Sequence, residues 1–251
     1  HLNIILGSYQ LIGDQKYLDL NTRVTLHLRD ASMSQANAHA RLLPHVKMRW
    51  SADQAAIIYS IWLYDTNNGS TYADEPLQRW LTYMHENATH PETGLFITEV
   101  MGTKKYSEQP RGCSAAYMIY YMSYFAPEVA KSQWALFKEH MGYSMMGLKG
   151  FREYLPDFDG EWTPDSGPII AGVGVAATGL AFKTAAALGD QAVFDAINRL
   201  ASMGTTMLGT VEVIPKLGDF AKIGTDLLAS SIILAAKTQW EFPRKLELGT
   251  F

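Results

Sequence analysis

The sequence repeats one pattern, GDQKYLDLNTR at residues 13–23 and GDQAVFDAINR at residues 189–199. Both copies read Gly-Asp-Gln, followed by Asp and Arg at the same spacing. A glycine commonly ends one helix, and an aspartate commonly caps the next helix. We therefore predict an αα-hairpin at each copy, with its later Asp and its Arg as an exposed pair one helical turn apart.

A third segment, FAPEVAKSQWALFKEHM at 125–141, follows the same plan with Pro127 at its start. Apolar residues that recur at helical intervals predict nine helices in all, and two short strands are expected at 94–100 and 210–214. The predicted helices cover residues 2–12, 15–31, 52–65, 74–87, 112–125, 127–141, 168–188, 191–203 and 222–238.

Nine helices with long loops between the hairpins favour an all-α architecture, an (α/α)-toroid or α/α-barrel whose inner helices line a central cavity. A plain helical bundle is the alternative, but a bundle predicts shorter connections than 32–51 or 142–167. We expect residues 1–251 to form a single toroid domain with short β-elements in its loops. Because nine is odd, at least one further helix is expected before His1.

Composition narrows the functional classes. The chain has 251 residues, 47% of them apolar, and a net charge of −4, which gives no basic surface for nucleic acid. The most apolar segment, residues 168–182, is too short for a membrane span. A single cysteine, Cys113, excludes an intrachain disulfide, and the scattered histidines predict no metal site. Cellular location and homo-oligomerisation stay open.

The segment WSADQ at 50–54 predicts the start of a helix, because Ser51 and Gln54 have the spacing of a capping box. Asp53 then lies in the first turn, where the helix dipole favours a negative charge. One interpretation is an ordinary acidic residue of a first turn. The functional interpretation is a carboxylate at the cavity mouth with a lowered pKa, suited to act as a base or to stabilise charge.

The segment PRGCS at 110–114 also predicts a helix start. Beside Arg111, the thiol of Cys113 is expected to have a lowered pKa and to act as a nucleophile or acid–base group. The alternative is a buried cysteine that packs like a small apolar residue.

The loop GFREYLPDFDGEWTPDSGP at 150–168 holds the densest group of carboxylates. Pro168 suits the first position of a helix, which predicts Asp165 or Ser166 as the N-cap. A carboxylate near other carboxylates can also keep a raised pKa and donate a proton. The acidic run 157–161 lacks the spacing of a calcium loop.

Four stretches together resemble the linalool dehydratase-isomerase family: HLNIILGSYQLIGD (1–14), SADQAAIIYSIWLYD (51–65), RWLTYMHENATHPETGLF (79–96) and ATGLAFKTAAALGDQAVFDAI (177–197). Members of that family are α/α-toroid proteins. The enzyme that gives the family its name interconverts monoterpene alcohols and an alkene by acid–base chemistry without a cofactor.

The resemblance implies candidate site residues. His1 matches the active-site histidine of the family's HLN element, and Asp165 matches an acidic position before the Gly-rich helix. Asp53 stands where the family has an active-site cysteine, and Cys113 stands where it has a tyrosine. A second family cysteine has no counterpart, and the family's other acid and tyrosine would precede His1. The cavity is therefore expected to be similar in place and different in chemistry, so the same terpene substrate is not assumed.

The first functional hypothesis is a cofactor-independent, dehydratase-like lyase or isomerase. Its substrate would be a small, hydroxylated, largely apolar molecule, terpenoid-like, in the central cavity. His1, Asp53, Cys113 and Asp165 are the predicted catalytic residues. The predicted substrate-binding residues are Trp50, Arg111, Tyr117, Glu153 and Trp162.

Two other hypotheses belong to other classes. Many α/α-toroids process sugars with paired carboxylates, and Asp53 with Asp165 would be that pair, between Trp50 and Trp162 as stacking platforms. The third hypothesis is a toroid that serves as a non-catalytic binding or assembly module.

Overall fold

The computed structural model describes residues 1–42, 48–101, 105–145, 148–158, 160–161, 163–170, 172–208 and 234. The predicted strand 210–214 and, apart from Leu234, the predicted helix 222–238 lie outside the described residues. The described helices are α1 (Leu2–Leu11), α2 (Leu18–Met33), α3 (Ser51–Asn68), α4 (Asp74–Asn87), α5 (Gly112–Phe125), α6 (Pro127–His140), α7 (Val175–Leu188) and α8 (Gln191–Leu208). The strands are β1 (Met48–Trp50), β2 (Glu99–Met101), β3 (Lys105–Tyr106), β4 (Gly142–Met145), β5 (Leu148–Phe151), β6 (Ile169–Ile170) and β7 (Val173–Gly174).

The chain is mostly helical, as predicted, and its strands pair only in short antiparallel units. The predicted helix at 168–188 is wrong at its start, since α7 begins at Val175. The residues before it pair instead as strands β6 and β7, for which the β-branched Ile169, Ile170 and Val173 are suited. Asp165 and Ser166 therefore do not cap a helix.

The second copy of the repeat forms the predicted hairpin turn. Gly189 ends α7 in the left-handed conformation, with φ of 70°, which costs glycine little. The Asp190 carboxylate then accepts a hydrogen bond from the Val193 backbone N–H at 3.2 Å and caps α8. The predicted ion pair of this copy is absent among the described contacts, because Asp195 instead accepts a hydrogen bond from Gln191 at 2.8 Å.

In the first copy, the exposed Asp19–Arg23 pair is confirmed at 3.1 Å. The Asp14 carboxylate accepts a hydrogen bond from the Lys16 backbone N–H at 2.8 Å, which forms a turn, and α2 begins only at Leu18. The shared pattern therefore marks a hairpin at both places, but the aspartate caps the second helix directly only in the later copy.

Polar contacts show that α1 and α3 are parallel neighbours. Near the start of α1, Asn3 donates a hydrogen bond to Ser60 at 3.1 Å. Near its end, Gln10 donates to Asn68 at 2.6 Å. Residue numbers increase in the same direction along both helices at this contact. The N-terminal ends of α1 and α3 therefore lie at the same end of the helix pair.

Helix α5 continues this parallel order. The rings of Tyr59 and Tyr121 lie 5.2 Å apart, and those of Trp62 and Tyr124 lie 6.3 Å apart one turn further on. Helix α3 therefore runs parallel to α5.

Helix α7 follows α5 in the same way. Gly112 lies against Ala177 near the start of both helices, and Lys183 lies over the ring of Tyr120 further along. The described chain thus contains an arc of four parallel helices, α1, α3, α5 and α7.

The helices between these four run the opposite way. Thr22 contacts Tyr64 at 2.9 Å while Gln54 bonds Ser32 at 3.0 Å, which makes α2 antiparallel to α3. Helices α6 and α8 return in the same manner from α5 and α7 through short turns. Large apolar side chains fill the space between the two layers, and Trp80, Phe96, Phe137 and Phe182 are fully buried there.

This arrangement fixes where the loops lie. The N-terminal ends of the four parallel helices share one side of the arc, and β1 and β7 lead directly into α3 and α7 there. The Gly112 backbone N–H at the start of α5 donates to the Glu153 carbonyl at 2.8 Å, which brings the loop after β5 to the same side. We call this side the rim, and the sequence candidates lie at or near it.

Candidate functional site

A buried arginine organises part of the rim. Arg111 lies immediately before α5 and has a side chain that is only 7% exposed. Its guanidinium donates to Glu153 at 3.0 Å, to Glu99 at 2.9 Å, to Asp165 at 3.2 Å and to Thr163 at 2.6 Å. Because each of its three nitrogen atoms has an acceptor, Arg111 acts as a clamp between β2 and the loop that joins β5 to β6. Its predicted role in substrate binding stays a prediction.

Cys113 and Glu153 form the inner part of this cluster. The Cys113 thiol donates to one Glu153 oxygen at 3.0 Å, and the Cys113 backbone N–H donates to the other at 3.0 Å. Gly112 permits this close approach, since a Cβ at that position would collide with the carbonyl oxygen of Arg152. The predicted thiol therefore touches the predicted carboxylate.

The charge state of this pair differs from the sequence-based expectation. Burial raises the pKa of the Cys113 thiol, and the neighbouring Glu153 charge raises it further, while Arg111 only partly opposes them. Burial also raises the pKa of Glu153, against the hydrogen bonds from Cys113 and Arg111. The expectation of a lowered thiol pKa was wrong, because Arg111 gives its nearest contacts to carboxylates. Cys113 is a protonated thiol at neutral pH.

Asp165 belongs to the outer part of the same cluster. Its side chain is 56% exposed and makes the ion pair with Arg111. Ser166, next to it, is fully buried and accepts a hydrogen bond from the Thr163 backbone N–H at 2.9 Å, which closes the loop on itself. This geometry orders the loop. Trp162, the predicted stacking platform, lies outside the described residues.

A second group of polar side chains joins α1 and α5. The Tyr117 hydroxyl contacts Nε2 of His1 at 3.3 Å and the Tyr121 hydroxyl at 3.0 Å. His1 is exposed and Tyr117 is half-buried, so this contact opens to solvent. Tyr117 follows Cys113 by one helical turn on α5, which links the two groups.

Asp53 approaches the same tyrosine from α3. Its carboxylate is close enough that its charge contributes to the raised pKa of Tyr117, after the larger effect of burial. Asp53 remains accessible to solvent, yet the surrounding protein partly desolvates its carboxyl group and raises its pKa. The lowered pKa expected from the helix dipole was therefore wrong, because desolvation of the carboxyl group is the largest effect on it.

The capping box predicted at the start of α3 does not form. The Ser51 hydroxyl contacts Nε2 of His39 at 3.1 Å and donates to the Ile97 carbonyl at 3.2 Å. The Gln54 side chain accepts from the Ala40 backbone N–H at 2.8 Å. Both side chains therefore fasten neighbouring segments to α3 and leave Asp53 as the outward-facing residue of the first turn.

Two cavities flank the candidate residues. One of about 220 Å³ is lined by Trp50 and Asp53 together with the segment around His39. A larger one, of about 490 Å³, lies beside Arg111 and is lined by Glu99, Tyr154 and Thr163 among others. Trp50, which ends β1, is thus placed where a guest next to Asp53 would contact it.

Tyrosines cluster along α5 and at its contact with α3 beyond the rim. The hydroxyls of Tyr120 and Tyr124 lie 3.2 Å apart, and the ring of Tyr59 packs against Tyr121 and Tyr124. Burial raises the pKa of Tyr59, Tyr120 and Tyr121, so these phenols stay protonated at neutral pH. We call Tyr59, Tyr117, Tyr120, Tyr121 and Tyr124 the tyrosine wall.

A scan of the chain against protein-family models finds no matching family, and a search of curated proteins finds no match. The resemblance to linalool dehydratase-isomerases therefore stays a prediction.

Two further observations concern only the described part of the chain. It contains no group of three or more His, Cys, Asp and Glu side chains placed to hold a metal ion. None of its helices has both the length and the apolarity that a bilayer crossing requires.

Sequence reasoning missed two features of this region. Glu99 was treated only as part of a strand, although it binds Arg111, and Lys183 was not considered at all. In the sequence, neither the residues around Lys183 and Thr184 on α7 nor the tyrosines of α5 form a charge pattern that indicates a site. Only the parallel packing of α5 and α7 brings Lys183 to Tyr120.

Proposed function

We propose that this protein is a cofactor-independent acid–base enzyme of lyase or isomerase type, acting on a small, hydroxylated, largely apolar substrate. The observation that carries this proposal is the contact between the Tyr117 hydroxyl and His1 Nε2, beside the carboxyl group of Asp53. Three groups that can exchange protons thus meet from three parallel helices next to an aromatic surface.

The proposed reaction removes a hydroxyl group as water and a proton from a neighbouring carbon. Asp53, whose pKa is raised by desolvation, protonates the leaving hydroxyl. Tyr117 relays a proton between the substrate and the imidazole of His1. The tyrosine wall supplies an apolar surface for the hydrocarbon part, and Trp50 adds a second surface beside Asp53.

Cys113, Glu153 and Asp165 have supporting roles in this proposal. A protonated, buried thiol held by Glu153 is a poor nucleophile, so Cys113 positions the first turn of α5, one turn before Tyr117. Asp165 holds its loop to Arg111. That ion pair also weighs against the sugar-hydrolase alternative, which needs Asp165 as a free partner of Asp53.

The finer architecture is part of the same proposal. The arc of parallel helices, each followed by an antiparallel helix, supports an α/α-toroid in which α1, α3, α5 and α7 belong to the inner ring. In that arrangement the tyrosine wall faces the central cavity, and the rim is its entrance.

The test uses the purified protein without added cofactor and with EDTA. A panel of allylic and tertiary terpenoid alcohols, linalool among them, is incubated in D₂O, and alkenes and isomers are detected by gas chromatography with mass spectrometry. We expect alkene to form, with deuterium on carbon only in molecules that have undergone elimination and then re-addition of solvent. Tyr117→Phe should lower the rate by about 100-fold, the usual size of an acid–base contribution.

Tyr17→Phe is the matched control, because it removes the same hydroxyl from an exposed tyrosine before α2. Its rate should equal that of the wild type. The proposal fails if no alcohol of the panel is converted, or if Tyr117→Phe is as active as Tyr17→Phe.

A further inference from the structure

Lys183 is the one described lysine that faces the tyrosine wall. It lies on α7, and its ammonium nitrogen is 4.1 Å from the centre of the Tyr120 ring. The next residue, Thr184, donates a hydrogen bond to the Ala116 carbonyl of α5 at 2.8 Å, which fixes this part of α7 against α5. Lys183 is therefore held in place by a packed helix.

The charge of Lys183 is not balanced within the described part of the chain. No described carboxylate or other acceptor bonds its ammonium group, and burial lowers its pKa. The lysines elsewhere in the described helices differ, since Lys131 pairs with Glu128 and Lys138 pairs with Asp190, both at 2.7 Å. A half-buried cation without an anion is costly, and the face of one tyrosine compensates only part of that cost.

The surroundings suit an anion. Lys183 lies over the Tyr120 ring, and the Tyr120 hydroxyl lies 3.2 Å from that of Tyr124. Burial raises the pKa of Tyr120, so this phenol stays protonated and can donate a hydrogen bond without repelling negative charge. The rest of the tyrosine wall is apolar ring surface. A ligand that matches both the lysine and the ring surface has an anionic group at one end and a hydrocarbon body.

We infer that Lys183 binds the anionic group, a carboxylate or phosphate, of an otherwise apolar molecule that lies along the tyrosine wall. This inference rests on the proposed function, since it names the substrate class of the same cavity. Lys183 on α7 and Asp53 on α3 approach α5 from opposite sides. Because packed helices lie about 8–10 Å apart, a molecule that reaches both spans more than one helix width.

The experiment measures binding without turnover. Isothermal titration calorimetry compares decanoate, decyl phosphate and 1-decanol, which share a hydrocarbon chain and differ in the head group. We expect the anions to bind about tenfold more tightly than 1-decanol, as a charge-assisted hydrogen bond to a desolvated cation provides. The relative affinities of decanoate and decyl phosphate show whether the site prefers a carboxylate or a phosphate.

Three variants assign the effect. Lys183→Met should abolish the preference for the anions while leaving 1-decanol binding unchanged, and Lys183→Arg should keep most of it. Lys131→Met is the matched control, because it removes an exposed lysine of α6, and it should behave like the wild type. Circular dichroism reports whether each variant is folded.

A second measurement does not depend on any variant. Lys183 should be acetylated more slowly in the presence of decanoate than of 1-decanol, as peptide mass spectrometry would show, while Lys131 is unaffected. The inference is overturned if wild-type protein binds decanoate and 1-decanol equally, if folded Lys183→Met keeps the preference, or if decanoate gives Lys183 no protection. An anion preference without conversion of any alcohol would instead refute the proposed function alone.

Discussion

At the scale of single residues, the sequence identified chemical groups but not their charge states. Asp53 and Cys113 were both expected to have lowered pKa values, and the pKa of each is raised. The sequence shows that Asp53 and Cys113 each lie near the start of a helix. The desolvation of both groups and the carboxylate of Glu153 beside the thiol were not visible, because they depend on segments far away along the chain.

The reactivity of Cys113 tests this result. As the only cysteine, it can be followed without ambiguity by its alkylation with iodoacetamide. We expect the native thiol to react at least about tenfold more slowly at pH 8 than in the urea-unfolded chain, since only the thiolate reacts. Glu153→Gln removes a negative charge at 3.0 Å and should accelerate the native reaction.

The control for that prediction is Glu128→Gln, which removes a carboxylate on the exposed side of α6. It should leave the alkylation rate unchanged. A native thiol that reacts as fast as the unfolded chain would contradict the protonated, buried state assigned to Cys113.

At the scale of elements, helices were predictable and the connections between them were not. The helices at 74–87 and 112–125 have the predicted bounds, because their apolar spacing persists over several turns. The hairpin of β6 and β7 was taken for the start of a helix. Two residues per strand are too few to show the alternation that distinguishes a strand from a helix.

The segment before β1 shows how such connections are fastened. His39 is buried, bonds the Asn37 carbonyl at 2.6 Å and contacts Ser51 at the start of α3. Desolvation, with a smaller contribution from the charge of Arg49, lowers its pKa from 6.5 to about 4 against the opposing effect of the Asn37 hydrogen bond. The folded protein therefore holds His39 neutral in weakly acidic solution.

This predicts a pH dependence of stability. Between pH 6.5 and about 4 the unfolded chain binds a proton at His39 that the folded chain does not. The contribution of the neutral imidazole to the free energy of unfolding is therefore fully present above pH 6.5 and is lost as the pH falls. From pH 7 to pH 4.5 the free energy of unfolding should drop by about 2 kcal/mol from this residue.

Urea unfolding at several pH values measures that slope, with His39→Asn as the comparison. In the variant, the drop in the free energy of unfolding that His39 causes between pH 7 and pH 4.5 should disappear. An equal slope in both proteins would show that His39 is not the residue responsible.

At the scale of the whole molecule, the repeated hairpin correctly indicated a mostly helical fold. The parallel order of α1, α3, α5 and α7 is what brings His1, Asp53 and Tyr117 near one another, and no local pattern contains that information. The clamp of Arg111 likewise joins strand β2 to the loop between β5 and β6. In the proposed function, the predicted site residues therefore divide into a proton-exchanging group and a group that holds the rim together.

The central claim is that Asp53 and Tyr117 act in one site. A double-mutant cycle of Asp53→Asn and Tyr117→Phe, measured on the rate of alkene formation, tests it most directly. If both groups serve the same elimination step, the double variant should be about as slow as the slower single variant, because residues that act as a unit are strongly non-additive. If the two losses simply multiply, the residues act independently, and the shared acid–base site is contradicted.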